Sequence, residues 1–225
     1  MATCKWCNKS GFFLKVSSNG LCLNCNQPIV NSVRFNAGKI KEALDDLEYY
    51  DRMETAIKNF KEILEHAKPL VAYENKGIKT IDPLPSVLIN AYTEKLNWIK
   101  DLREKGFKIY RNFNSRVAGV TYPNEDGSSR QDIIEGCNVG DKLFPITAPF
   151  GKFKTATKLI TKDNKQIGWL THTVAEEFYN LINDSNYKFD IEINEVTGGG
   201  YDKPEKGCNI RFTCFQKQNH KKKRE

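Results

Sequence analysis

Arg116-Val117-Ala118-Gly119-Val120-Thr121-Tyr122 opens the stretch that decides the fold. Ser129-Arg130-Gln131-Asp132-Ile133-Ile134, Val139-Gly140-Asp141 and, past a basic loop, Lys165-Gln166-Ile167-Gly168-Trp169-Leu170 complete it. The first run is β-branched and aromatic, and it predicts a strand over 117–122. Outward from it the hydrophobic period is two. Further strands are predicted over 142–147, 157–161, 166–170, 189–196 and 209–215, with short helices over 129–136 and 173–182. Val174, Phe178 and Leu181 share one face of the second helix. Gly198-Gly199-Gly200 and Lys203-Pro204 mark the last hairpin loop, and Gly207 precedes the final strand. Many short strands in so short a region suggest a small barrel or sandwich.

Five elements of this region resemble a HIRAN domain, a small β-barrel module that binds nucleic-acid ends. They are Gly119-Val120-Thr121-Tyr122, Arg130-Gln131, Val139-Gly140-Asp141, Ile167-Gly168-Trp169-Leu170 and Ala175-Glu176-Glu177. The resemblance implies that Tyr122 stacks on a base. It also implies a second aromatic and a 3′-hydroxyl-binding acid in the loop that here reads Ala148-Pro149-Phe150-Gly151-Lys152-Phe153-Lys154-Thr155-Ala156. Anchoring on Pro149 puts Phe153 at the aromatic and Lys154 at the acid; anchoring on Ala156 puts Lys152 and Phe153 there. Neither register supplies a carboxylate.

The loop also carries its own argument. Lys152, Lys154, Lys158, Lys162 and Lys165 face a single acid, Asp163, and Phe150 and Phe153 lie among the lysines. Lysines over phosphates with aromatics against bases are what single-strand binding requires. The alternative is that one phenylalanine is core and the lysines line a solvated strand.

At the other end, Cys4-x2-Cys7 and Cys22-x2-Cys25 bracket a spacer in which Phe12, Phe13, Leu14 and Val16 suit a hairpin turning at Asn19-Gly20. Four soft thiolates select one structural Zn²⁺ with no vacant position for catalysis. So small a ribbon needs the metal in order to fold. Lys5, Trp6, Lys9, Lys15 and Arg34 suit phosphate and base contacts; alternatively Trp6 packs on the knuckle and the lysines are solvated.

Between these ends the pattern is helical. Ile40, Leu44, Leu47, Tyr50, Met53, Ile57, Phe60, Leu64 and Ala67 recur at three- and four-residue steps and predict one helix from Asn36 to Pro69. A second helix is predicted from Ser86, a plausible N-cap, to Lys105, with Ile89, Tyr92, Leu96, Ile99 and Leu102 on its apolar face. Two such helices suit an antiparallel hairpin; the heptad-like first stripe also suits a coiled coil and a homo-oligomer. His66 is expected in a last helical turn, where a cation is favoured. Cys137, Cys208 and Cys214 read as small buried hydrophobes. Thr171 or Thr173 is expected to cap the helix beside His172.

The formal charge of +7 divides unevenly. Residues 1–36 hold four cations and no acid, 37–106 sum to −1, 107–216 to zero, and 217–225 to +4. No apolar run is long enough for a membrane span, and residues 1–16 lack the pattern of a signal peptide. A cytoplasmic protein is the expectation. Small proteins joining a ribbon to a HIRAN-like module resemble those of bacteria and their phages. No catalytic constellation is evident. The sequence therefore reads as an α+β multidomain chain: zinc ribbon 1–35, antiparallel helical spacer 36–106, HIRAN-like β-barrel with two short helices 107–216, and basic tail 217–225. The expected function is a non-enzymatic adaptor holding single-stranded DNA or DNA ends through Tyr122, Lys152, Phe153, Lys154 and Lys158. The rival expectation is a module that docks on a larger nucleic-acid-processing or defence enzyme.

Overall fold

A computed structural model of the chain describes residues 1–47, 50 and 52–218. The chain divides into two compact units, Met1–Glu104 and Lys105–Glu225.

The first unit begins with a minimal antiparallel pair, β1 (Ala2–Thr3) and β2 (Ser10–Gly11), registered Thr3 to Ser10. Between them the chain doubles back at the first cysteine pair: the Cys4 amide donates to the Lys9 carbonyl at 2.8 Å, and the Asn8 amide to that of Cys4 at 2.9 Å. The expected hairpin turning at Asn19-Gly20 is reduced to a single bridge, Val16 to Cys22. Phe12 and Phe13 are not part of it; they are 84% and 99% exposed.

Helix α1 (Leu23–Leu47) starts thirteen residues before the predicted onset, at the second cysteine pair. The Cys22 carbonyl accepts from the amides of Cys25 and Asn26, so the knuckle supplies the first turn. The predicted single helix to Pro69 is two helices, α1 and α2 (Met53–Glu74). Leu47, Tyr50 and Met53 keep a three-residue step across the break, so periodicity alone could not see it. Pro69 lies inside α2 and Pro28 inside α1. Each forgoes a backbone bond, and burial of Leu70 and Ile29 beside them outweighs the loss.

Helix α3 (Pro85–Glu104) places Pro85 at its first position, with Ser86 one residue inside instead of at the cap. The Ser86 amide and hydroxyl both donate to the Glu74 carboxylate, at 2.9 and 2.6 Å. The end of α2 thus caps the start of α3. Arg103 in turn approaches Glu54 at 3.5 Å, so α2 and α3 run antiparallel. Of the predicted stripes, Ile40, Leu47, Tyr50, Met53, Ile57, Phe60, Ala67, Leu96, Ile99 and Leu102 are buried, whereas Leu44 and Leu64 are half-buried. His66 is not terminal: it sits inside α2, its Nδ1 3.0 Å from the buried Asn36 Oδ1.

The second unit is a six-stranded antiparallel sheet in the order β3-β8-β7-β4-β5-β6. Its strands are β3 (Phe107–Arg116), β4 (Lys142–Thr147), β5 (Thr157–Ile160), β6 (Gln166–Trp169), β7 (Tyr187–Thr197) and β8 (Gly207–Lys217), with helices α4 (Arg130–Glu135) and α5 (His172–Ile182). Two expectations are corrected. The opening strand is β3, not 117–122. Its Asn112, Asn114 and a bulge between Ile109 and Arg111 break the alternation that reveals a strand. The sheet is also open instead of a closed barrel: β3 and β6 are its edges, and Ala118 and Trp169 exchange two backbone bonds, at 2.8 and 2.9 Å, in one isolated bridge.

The core of this unit includes Ile134, Leu143, Leu159, Ile167, Ile191, Ile210 and Phe212. Phe178 of α5 enters it, 4.7 Å from the Phe212 ring centroid. Cys208 and Cys214 are buried as expected, and burial pushes both thiols up to about 12. Thr171 occupies the N-cap of α5 without a side-chain bond, and His172 instead approaches Glu176 at 3.2 Å. Lys217 belongs to β8, while tail residues 219–225 lie outside the described residues. No helix among the described residues is long and apolar enough to cross a membrane.

Candidate metal centre and nucleic-acid interface

Cys4, Cys7, Cys22 and Cys25 bring their sulfurs within 4.8 Å of one another, with Cys7 and Cys22 Sγ 3.8 Å apart. Ligands on a tetrahedron with metal–sulfur bonds of about 2.3 Å lie about 3.8 Å apart, so the cluster fits a metal ion. The Cys22 amide donates to Cys4 Sγ at 3.3 Å. That amide, with the Cys7 amide second, holds the Cys4 thiol down at about 6 against a desolvation that opposes it. Burial and then the neighbouring sulfurs push Cys25 up to about 12. The cluster therefore mixes one ready thiolate with a thiol that ionises only for a metal. Around it, Trp6 packs on Tyr73 with ring centroids 5.1 Å apart, and Lys5 Nζ donates to the Gly77 carbonyl at 2.9 Å. These two predicted contact residues have local structural partners, whereas Lys9, Lys15 and Arg34 are exposed.

The second unit collects aromatics near the Ala118–Trp169 bridge. Phe150 and Phe153 exchange backbone bonds of 3.1 and 2.9 Å across the turn Gly151-Lys152, which sets their ring centroids 5.2 Å apart. Phe150 then lies 5.0 Å from the Trp169 ring. A Cβ built on Gly119 would stand 3.3 Å from Trp169 and 3.8 Å from Tyr122, so both side chains lie beside Gly119. Tyr122, Phe150 and Phe153 are 69%, 49% and 43% exposed, so neither phenylalanine is core.

Of the predicted lysines, Lys152 sits over the Phe153 ring at 5.4 Å and Lys154 is exposed beside it. Lys158 pairs with Trp169 across β5 and β6, and directly opposite residues share a face. Of the five predicted residues, Lys152 and Phe153 are in contact, Lys158 stands opposite Trp169, Tyr122 lies beside Gly119, and Lys154 is exposed next to Phe153 in sequence. Trp169 was not among the expected contact residues, yet it lies within this candidate surface. The signal was its place in a short strand opposite a lysine, which becomes visible only once the register is known.

The support beneath this surface was also missed. Arg130 is 6% exposed; its Nε donates to Asn124 Oδ1 at 2.6 Å and its Nη1 to the Gly119 carbonyl at 2.7 Å. With the Gln166 amide turned so that its oxygen meets its donors, it accepts from Arg130 Nη2 at 3.1 Å and from Trp169 Nε1 at 3.3 Å. The guanidinium carbon lies 5.9 Å from the Trp169 ring centroid. Next door, Gln131 Nε2 donates to the carbonyls of Val120 and Lys206, and its Oε1 accepts from the Lys206 amide. Burial pulls the Arg130 pKa down, with Glu125 opposing that shift, while each of the three guanidinium nitrogens meets one acceptor.

No family model and no curated protein matches this chain. Among solved structures it is similar to the HIRAN domain of human HLTF, at 14% identity and a TM-score of 0.38, covering 50% of this chain and 82% of that one.

Proposed function

We propose that this chain is a non-enzymatic nucleic-acid-binding adaptor. Single-stranded or end-containing DNA lies on Tyr122, Trp169, Phe150 and Phe153, and Lys152, Lys154 and Lys158 neutralise its phosphates. One observation carries this reading: the exposed rings of Phe150 and Phe153 stand 5.2 Å apart and Phe150 lies 5.0 Å from the half-buried Trp169, with Lys152 over Phe153 and Lys158 opposite Trp169. Base–aromatic stacking contributes roughly 1–3 kcal/mol per base and tolerates any sequence. The four thiolates hold one structural Zn²⁺, whose role is to fold the head; all four positions are protein sulfurs, so none is left for a substrate. The head makes a second contact with the strand. The loop from 148 to 156 contains no carboxylate, so a terminal hydroxyl is not gripped there as the resemblance implies.

The test is a titration with a labelled single-stranded oligonucleotide against Phe153→Ala and Lys154→Ala. Weakened binding in either variant is expected; unchanged affinity in both removes the loop from the site.

A second reading rests on Phe144 and Ile146 of β4, which are 48% and 40% exposed. Ile146 stands opposite Lys158, so an apolar strip adjoins the aromatic series. That strip suits docking on a larger enzyme. A pull-down that survives nuclease treatment and fails with Ile146→Lys would favour it.

A further inference from the structure

The turn Gly11-Phe12-Phe13-Leu14 presents the most exposed aromatic pair of the metal-holding unit, and it is held at both ends. Gly11 is paired in β2 opposite Ala2. The Leu14 amide bonds to the Gly11 carbonyl at 3.4 Å, and its side chain packs on the buried cluster of Cys4, Leu21, Cys22 and Ile29. Phe12 and Phe13 are the two central residues of the turn, with rings 84% and 99% in solvent. A globular head would gain by burying either one, so their exposure is not explained by folding. Lys9 and Lys15 flank the turn, and no acidic residue occurs before Glu42.

From this geometry we infer that Phe12 and Phe13 stack on bases of single-stranded nucleic acid while Lys9 and Lys15 meet its phosphates. Charge decides the partner class. With Zn²⁺ bound to four thiolates the first 36 residues keep a charge of about +2, without a carboxylate to repel a polyanion. The side chains are planar rings, which match the face of a base, and the turn is preorganised by metal and sheet, so little ordering entropy is lost on binding. The second unit presents the same combination at Phe150-Gly151-Lys152-Phe153: a tight turn, two exposed rings and lysine between or beside them. The inference deepens the reading of the head as a second contact and gives that contact its residues.

The experiment uses the full-length zinc-loaded chain and a fluorescein-labelled oligothymidylate. The double substitution Phe12→Ser/Phe13→Ser should lower affinity roughly 5- to 150-fold for each stacked base lost. It should leave zinc content and circular dichroism unchanged, because neither ring is packed. Photocrosslinking of bromodeoxyuridine-substituted oligonucleotide should map to the peptide containing residues 10–15. Wild-type affinity in the double variant, with no crosslink there, overturns the inference. So does binding to phosphatidylserine vesicles that the double variant loses while oligonucleotide binding is intact. Phe150→Ala/Phe153→Ala is measured in parallel. A loss only there removes the head contact and keeps the aromatic surface of the second unit, and a loss only at Phe12/Phe13 does the reverse.

Discussion

Arg130 reaches the carbonyl of Gly119 at 2.7 Å from a position that is 6% exposed, so a buried cation holds the backbone from which Tyr122 projects. No carboxylate among the described residues forms an ion pair with it within 4 Å, and its acceptors are a carbonyl and two amide oxygens. Replacing it with methionine strands those oxygens. We expect Arg130→Met to cost about 2–4 kcal/mol. Lysine should restore only part of this, since an ammonium cannot reproduce the fork. Urea unfolding followed by tryptophan fluorescence checks both.

Gly168 leaves no room for a side chain: a Cβ there would stand 2.4 Å from Val117 Cγ1 and 2.5 Å from the Ala118 carbonyl oxygen. Gly168→Ala should destabilise the second unit by about 1–3 kcal/mol or more. The zinc content of the first unit should be unchanged in the same sample.

Metal binding should release fewer than four protons per zinc at pH 7.5. The Cys4 thiol, held down at about 6, is already ionised there, whereas Cys25, pushed up to about 12, must give up its proton. Affinity therefore rises with pH through the neutral range, and below about 6 protonation of Cys4 adds a further loss. Calorimetry in buffers of different ionisation enthalpy counts the protons. Chelation should unfold residues 1–30 and leave the second unit intact, as read by amide hydrogen exchange.

Salt separates a site from bulk electrostatics. Each lysine that meets a phosphate contributes about 0.7 to the slope of log affinity against log salt for a single strand. Lys152→Ala and Lys158→Ala should each reduce the slope by about that amount. Deleting residues 221–224 should lower affinity evenly and leave the ring-dependent part of binding in place.

The sequence carried the metal cluster and most of the strand positions because their signals are local: cysteine spacing, and period-two alternation in β4, β6, β7 and β8. It hid what depends on distant partners. β3 contains two asparagines and a bulge, and only pairing with β8 makes it a strand. The break between α1 and α2 preserves hydrophobic phase. Pro28 and Pro69 look like helix ends, yet buried neighbours hold them inside. Of the candidate interface, Phe153 and the lysines were visible as composition. Trp169 and Arg130 join the candidate interface only through a strand register and through one backbone and two side-chain acceptors that no spacing rule encodes.

The bridge between Ala118 and Trp169 makes the aromatic surface part of a seam. The two amides concerned are the direct ladder link between the segment after β3 and the edge strand β6. A strand lying across Tyr122 and Trp169 would hold that seam shut, so occupancy and edge closure are one equilibrium observed from two sides. Slowed exchange of these two amides would then serve as a built-in gauge of ligand, readable without any label on the nucleic acid.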